Sequence, residues 1–234
     1  MITLYNIGPF YGLPDPSPFC LKVETYMRMA GLEFETSSGA VNLRNAPKGK
    51  LPFIKDNGKI IPDSAFIISY LKETYGDKLD APLDKKQKAI AHAFIKTIDE
   101  NLYWCIVRSR WMDNNIWPII KKDFFGKLPF PLKNIICSVA RRGVKKSLHL
   151  HGIGRHSDEE ILEIARRDLY ALSDYLNDKP YFFGDKPSTL DAVAYGFLAE
   201  IIIPPLETPL KKLAISYANL VAFCDRVRNK YYPV

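Results

Sequence analysis

The sequence predicts an α/β domain followed by an all-helical one, and three observations carry that expectation. Strand-like and helix-like patterns alternate over the first 76 residues, no convincing strand pattern follows them, and the polar, proline-containing stretch DKLDAPLDKK at 77–86 separates the two regimes. The domains are therefore expected at 1–76 and 87–234, joined by a linker at 77–86.

Each element has its own signal. ITLYNI at the start alternates as a half-buried strand does, and it lacks the basic region, apolar run and cleavage site of a secretory leader. PFCLKVETYMRMA reads as one amphipathic helix closed by Gly31; Ser17 stands at its start, and Pro18 suits the first helical position because its φ is preset and its missing N–H has no role there. A short β-like stretch over Glu33–Ser37 and an irregular segment through Asn42–Lys50 follow. LPFIKDNGKIIP then places two apolar runs around Asp56, Asn57 and Gly58, a hairpin signature, and SAFIISYLKETYG begins a helix after Asp63 that stops at Gly76. The order is β-α-β-(α)-β-β-α. Beyond the linker, helical patterns cover about 85–112, 116–125, 131–148, 158–176, 189–203 and 218–230. Ser157 with Glu160, and Ser188 with Asp191, stand at capping-box spacing.

Composition narrows the function. A chain of 234 residues with 47% apolar and 12% aromatic side chains has ample material for a core. No stretch approaches the ~20 apolar residues of a membrane span: the longest, AVAYGFLAEIIIPPL, carries Glu200 and ends at Pro204 and Pro205, and the closing KYYPV is no anchor, so a soluble, cytoplasmic protein is expected. Cys20, Cys105, Cys137 and Cys224 are widely spaced without a CxxC pair, which points to reduced thiols rather than disulfides or zinc. His149, His151 and His156 have no cysteine or acidic cluster at ligand spacing, so no metal is expected. The net charge of +7 is densest at RRGVKK, 141–146; with no nucleic-acid module around it, attraction for small anions is the expectation and nucleic-acid binding is not.

The helix start at Ser17 has two readings. A serine there can cap the helix, and the same geometry aims free N–H groups and the positive end of the helix dipole at an anion such as a thiolate. Cys20, one turn in, is expected to be buried and inert.

A helix-start Ser-Pro-Phe-Cys in a small α/β domain, followed by an all-helical domain, resembles the glutathione transferase superfamily, whose first domain is thioredoxin-like. Thioredoxin and glutaredoxin relatives have Cys-Pro-x-Cys at this helix start. Ser17 takes the place of the first cysteine, so disulfide exchange is lost and a hydroxyl remains to stabilise a glutathione thiolate. Some transferase classes use a tyrosine after the first strand, which makes Tyr11 in GPFYGLPDP the alternative donor. GKLPFI at 49–54 resembles the segment whose proline, here Pro52, is cis and whose preceding residue, here Leu51, offers backbone hydrogen bonds to glutathione. IPDSAFIISYL resembles the segment in which Asp63 and Ser64 bind the γ-glutamyl group. Phe19 and Lys50, next to these motifs, complete the expected glutathione-binding set, while Trp104, Arg108 and Trp111 are expected to border the electrophile pocket. Asp191 is implied to be a folding cap rather than a catalyst.

Three longer segments, DPSPFCLKVETYMRMAGLEFE, APKGKLPFI and GIGRHSDEEI…DLYALSDYL…YFFGDKPSTLDAVAYG, are similar to the failed-axon-connections branch, related to metaxins and cadmium-resistance proteins. The resemblance implies a detoxifying transferase with glutathione as co-substrate, a small hydrophobic electrophile as second substrate and no metal. It equally implies the alternative of a metaxin-like interaction protein that keeps the fold without catalysis. It leaves monomer and homodimer open.

Overall fold

The computed structural model describes residues 1–126 and 128–233. β1 (Ile2–Asn6) buries Ile2 and Leu4 at period two, α1 spans Pro18–Met29, and β2 (Phe34–Ser38) runs parallel to β1. A single turn, α2 (Asn42–Asn45), interrupts the irregular stretch. β3 (Phe53–Asp56) pairs antiparallel with β1, and β4 (Lys59–Pro62) pairs antiparallel with β3, giving the sheet order β2-β1-β3-β4. The hairpin turns at Asn57 and Gly58, φ 47° and 84°, both in the left-handed region that a tight two-residue turn requires. α3 (Ser64–Tyr75) runs from Asp63 to Gly76 as the sequence predicts. The Leu51–Pro52 bond is cis, as the resemblance implied, and Phe130–Pro131 is cis as well.

The helical part comprises α4 (Lys85–Lys96), α5 (Tyr103–Trp111), α6 (Trp117–Phe125), α7 (Leu132–His151), α8 (Asp158–Leu176), α9 (Thr189–Ile202), α10 (Pro209–Ile215) and α11 (Ala218–Tyr231). α4 and α5 form one rod, as the pattern at 85–112 predicts, but a π-helical segment at Thr97–Leu102 joins them. α10 had no counterpart in the predicted helices. Seven residues are too few to show a helical period, although its start signals are present: Pro209 at the first position and a Thr208 hydroxyl accepting the Lys211 N–H at 3.0 Å. The Ser157–Glu160 capping box forms as expected.

α1 is where observation departs from the expected amphipathic helix. Every side chain from Cys20 to Met27 is buried, because Val23, Tyr26 and Met27 face the sheet core with Ile2, Leu4 and Ile54 while the other side packs on α9. Its polar residues are tolerated there because each has a partner: Lys22 with Asp99 at 2.7 Å, Glu24 with Arg28 at 2.9 Å, and Thr25 with the Leu21 carbonyl at 2.7 Å. The helix ends in a Schellman motif, with the Leu32 N–H on the Met27 carbonyl at 3.0 Å and the Gly31 N–H on the Arg28 carbonyl at 3.2 Å. Against α9 the approach is closest at Gly196, where an added Cβ would lie 2.8 Å from the Lys22 backbone nitrogen. A second core, including Leu169, Leu172, Phe182, Phe197 and Phe223, fills the helical part. No described helix is long and apolar enough to cross a membrane.

Candidate functional site

The local fold leaves the start of α1 with unused donors. The first intrahelical bond runs from the Leu21 N–H to the Ser17 carbonyl at 2.9 Å, so the N–H groups of Phe19 and Cys20 take no helical partner. Ser17 holds the N-cap position with extended backbone, yet its hydroxyl makes no capping bond. What fixes Ser17 is Asp15, which sequence reasoning missed: its buried carboxylate accepts N–H groups from Ser17 at 2.8 Å, Ile7 at 2.6 Å and Gly8 at 3.0 Å. An aspartate accepting the N–H two residues on is an Asx turn, so DPS carried a legible signal. Burial pushes the Asp15 carboxyl up to about 6 against the downward pull of those N–H bonds. Cys20 is fully buried, and burial, reinforced by the Asp15 charge, holds its thiol well above the ordinary range. It therefore remains a protonated, unreactive thiol.

A cavity of about 680 Å³ opens over this helix start. It brings together Ser17, Phe19, Lys50, Leu51, Pro52, Asp63, Ser64 and Trp104 of the sequence-predicted residues. Leu51 makes no backbone–backbone hydrogen bond among the described residues, which leaves its N–H and C=O available. Asp63 caps α3, accepting the Ala65 N–H at 3.0 Å from a backbone at φ 77°, and Ser64 begins that helix. Three predicted residues lie elsewhere. The Tyr11 hydroxyl donates to Asp123 at 2.7 Å beside α6, Arg108 pairs with Asp158 at 2.6 Å, and Trp111 packs on Trp117 with ring centres 5.5 Å apart. The reason is helical geometry: Trp104 and Trp111 are seven residues apart, but Trp111 ends the rod against α6, beyond the reach of the cavity.

The structure adds residues that sequence reasoning did not single out, Lys48, Phe66, Lys96, Asp99 and Glu100, together with Tyr103, an aromatic whose spacing reads as core. Most of these come from the π-helical segment and its flanks, and such segments commonly mark functional positions. Lys48 lies 3.8 Å from Asp63 and over the Phe66 ring at 4.9 Å, and Lys96 pairs with Glu100 at 3.4 Å. Asp99 is held by buried Lys22, so the cavity wall on the helical side is tied to α1. Burial raises the Asp99 carboxyl and lowers the Lys22 ammonium, each opposed by its partner. Phe19, Tyr103 and Phe197 stack edge to face behind the site. The lining thus offers three lysines and three carboxylates interleaved with aromatic faces, a donor set suited to a zwitterionic peptide next to an apolar group.

Asp191 has no place in this cavity. Its carboxylate accepts the N–H groups of Phe182 at 2.9 Å and Ser188 at 2.7 Å and the Ser188 hydroxyl at 2.6 Å, fully buried at the start of α9. No cluster of three or more metal-ligating side chains occurs among the described residues.

Comparison with known proteins places these features in context. A family model for the glutathione S-transferase N-terminal domain matches residues 18–116, and one for the C-terminal domain matches residues 165–227. An isoprene-epoxide–glutathione S-transferase from Rhodococcus sp. is 39% identical over 99% of both chains. Failed axon connections from Drosophila melanogaster is 36% identical over 100% of this chain and 58% of its own length, and metaxin-2 from Homo sapiens is 28% identical over 91% and 81%. The crystal structure of the beta-etherase LigF from Sphingobium sp. matches the fold with a TM-score of 0.66 at 19% identity, covering 98% of this chain and 95% of that one.

Proposed function

The chain belongs to the glutathione S-transferase family, and from that premise we propose that it ionises glutathione at Ser17 and adds the thiolate to a small, apolar electrophile. The observation that carries this reading is the uncapped Ser17 hydroxyl beside the unused N–H groups of Phe19 and Cys20, on the wall of a cavity. These donors favour the thiolate over the thiol, and a free thiol is only a few per cent ionised near neutrality, so lowering its pKa by ~2 units raises the reactive fraction more than tenfold. Asp63 and Ser64 at the start of α3 take the γ-glutamyl end, Leu51 takes the cysteinyl backbone, and Lys48, Lys50 and Lys96 supply charge for the carboxylates. Phe19, Tyr103 and Trp104 form the apolar wall for the electrophile.

An epoxide is the electrophile class favoured by the name of the full-length relative. The thiolate sulfur attacks an epoxide carbon, the carbon–oxygen bond breaks, and the resulting alkoxide takes a proton to give a hydroxy-thioether. The four free, buried cysteines fit a reducing compartment such as the cytoplasm. A second reading, an interaction protein that binds glutathione without conjugation, is favoured by the similarity to metaxin-2. Calorimetric titration with glutathione followed by conjugation of a small epoxide separates the two. Binding with turnover supports the transferase, binding without turnover of any general electrophile supports the interaction protein, and no binding removes both site assignments.

A further inference from the structure

We infer that the groove between α5, α6 and α7 binds a small polyanion bearing several phosphate-type groups, at a site separate from the glutathione cavity. The groove has a volume of about 850 Å³ and is lined by Arg108, Lys121, Arg141, Arg142, Lys145 and Lys146, with His149 on the same wall and no acidic residue in the lining. Its floor is preorganised. The Arg141 guanidinium donates to the Trp111 carbonyl at 2.9 Å, the Met112 carbonyl at 3.2 Å and Asn114 Oδ1 at 3.0 Å, and it lies over the Trp117 ring at 5.1 Å. A cation held this way loses little freedom when an anion arrives. Lys121, on α6, is steadied by Asn134 at 2.9 Å.

The rim cations are the unusual part. Arg142, Lys145 and Lys146 stand at i, i+3 and i+4 on α7, the spacing at which like charges repel, and none has a salt-bridge partner among the described residues. Elsewhere on this surface the same spacing is used for opposite charges: Lys96 with Glu100, Arg167 with Glu163, and Lys211 with Glu207. Among the described residues, only Arg108 in the groove has an acidic partner, Asp158. The remaining five cations in one concavity focus a positive potential that a bound anion relieves. The space is many times the ~30 Å³ share of one water molecule, so it suits a ligand larger than a single tetrahedral ion. Cations on the floor and on both walls suit a compact ligand rather than a nucleic-acid strand tracking an open face.

The test is calorimetry on the full chain with sodium tripolyphosphate and, separately, orthophosphate, in about 0.15 M NaCl so that diffuse attraction is screened. Expected is tripolyphosphate binding with a Kd below about 100 µM and orthophosphate binding roughly tenfold weaker or more. The Arg142→Gln/Lys145→Gln/Lys146→Gln variant, altered only on an exposed face, should lose roughly tenfold or more of the tripolyphosphate affinity with its glutathione titration unchanged. Lys121→Gln on the opposite wall should weaken it independently. Absence of tripolyphosphate binding, equal binding by the triple variant, or equal affinity for orthophosphate overturns the proposal. So does preferential binding of a duplex oligonucleotide, or a triple variant whose only change is from dimer to monomer in light scattering.

Discussion

Replacing Ser17 with alanine distinguishes a capping serine from a catalytic one, because the structure separates the two consequences. A true N-cap lost to alanine costs about 1 kcal/mol, yet here the hydroxyl makes no capping bond, and the bond that fixes the residue, its N–H on Asp15 at 2.8 Å, is retained by alanine. Ser17→Ala should therefore cost no more than about 0.5 kcal/mol, which for a chain of this size moves Tm by about 2 °C or less. Catalysis should respond far more strongly. Removing one preorganised donor from a developing or resident anion typically costs about 3–4 kcal/mol, or 10²–10³ in turnover. The bound-thiol pKa, followed by ultraviolet thiolate absorbance, should rise toward the free value. Ser17→Gly should behave in the same way. Ser17→Cys should lose conjugation and gain thiol–disulfide exchange with glutathione, since a thiol at a helix start is acidified. Conjugation by Ser17→Ala at the parent rate, with an unshifted thiol pKa, refutes the reasoning and leaves the N–H groups of Phe19 and Cys20 as the stabilisers.

Four further outcomes are expected. Asp63→Ala/Ser64→Ala should weaken glutathione binding by about 2–4 kcal/mol in calorimetry through loss of charge-assisted bonds, and an unchanged Kd would remove these residues from the site. Tyr11→Phe should leave turnover unchanged, because its hydroxyl is engaged by Asp123 outside the cavity; a strong loss of rate would restore Tyr11 as a thiolate donor. Gly196→Ala should destabilise by about 1–3 kcal/mol in urea denaturation despite the ~1 kcal/mol that alanine gains in a helix, because its Cβ meets the α1 backbone at 2.8 Å; a stabilised variant would contradict that packing. Glu200 is fully buried with Oε2 on Arg110 at 2.6 Å and Oε1 unpartnered, and burial raises its carboxyl from 4.5 to about 7 against the pull of Arg110. The folded state then holds a proton that the unfolded state has released between those values, so this group makes stability fall by about 3 kcal/mol as pH rises through that window. Glu200→Gln should flatten the urea midpoint between pH 4.5 and 7, and an unchanged slope would count against this assignment.

Elements whose signals are local could be read directly from the chain. The hairpin at Asn57–Gly58, the stops at Gly31 and Gly76, the capping box at Ser157 and the order of strands and helices all follow from backbone preferences that act within a few residues, so they could be read without knowing what packs where. Ser17 was legible for the same reason, at a helix start, whereas Leu51–Pro52 and Asp63–Ser64, which converge with it on the cavity, were legible through their resemblance to glutathione transferase segments. How α1 is used depends instead on packing between distant segments. Its charged residues mark an exposed face in a sequence pattern, but contact with α9 buries that face and Asp99, 77 residues away, supplies the counter-charge for Lys22. Tertiary packing also separated two tryptophans expected to share one pocket, sending Trp104 to the cavity and Trp111 toward α6, and a π-helical turn at Thr97–Leu102 brought Asp99, Glu100 and Tyr103 to the wall. These outcomes depend on which distant surfaces meet, and that is set by the combined shape of two domains rather than by any local stretch of chain.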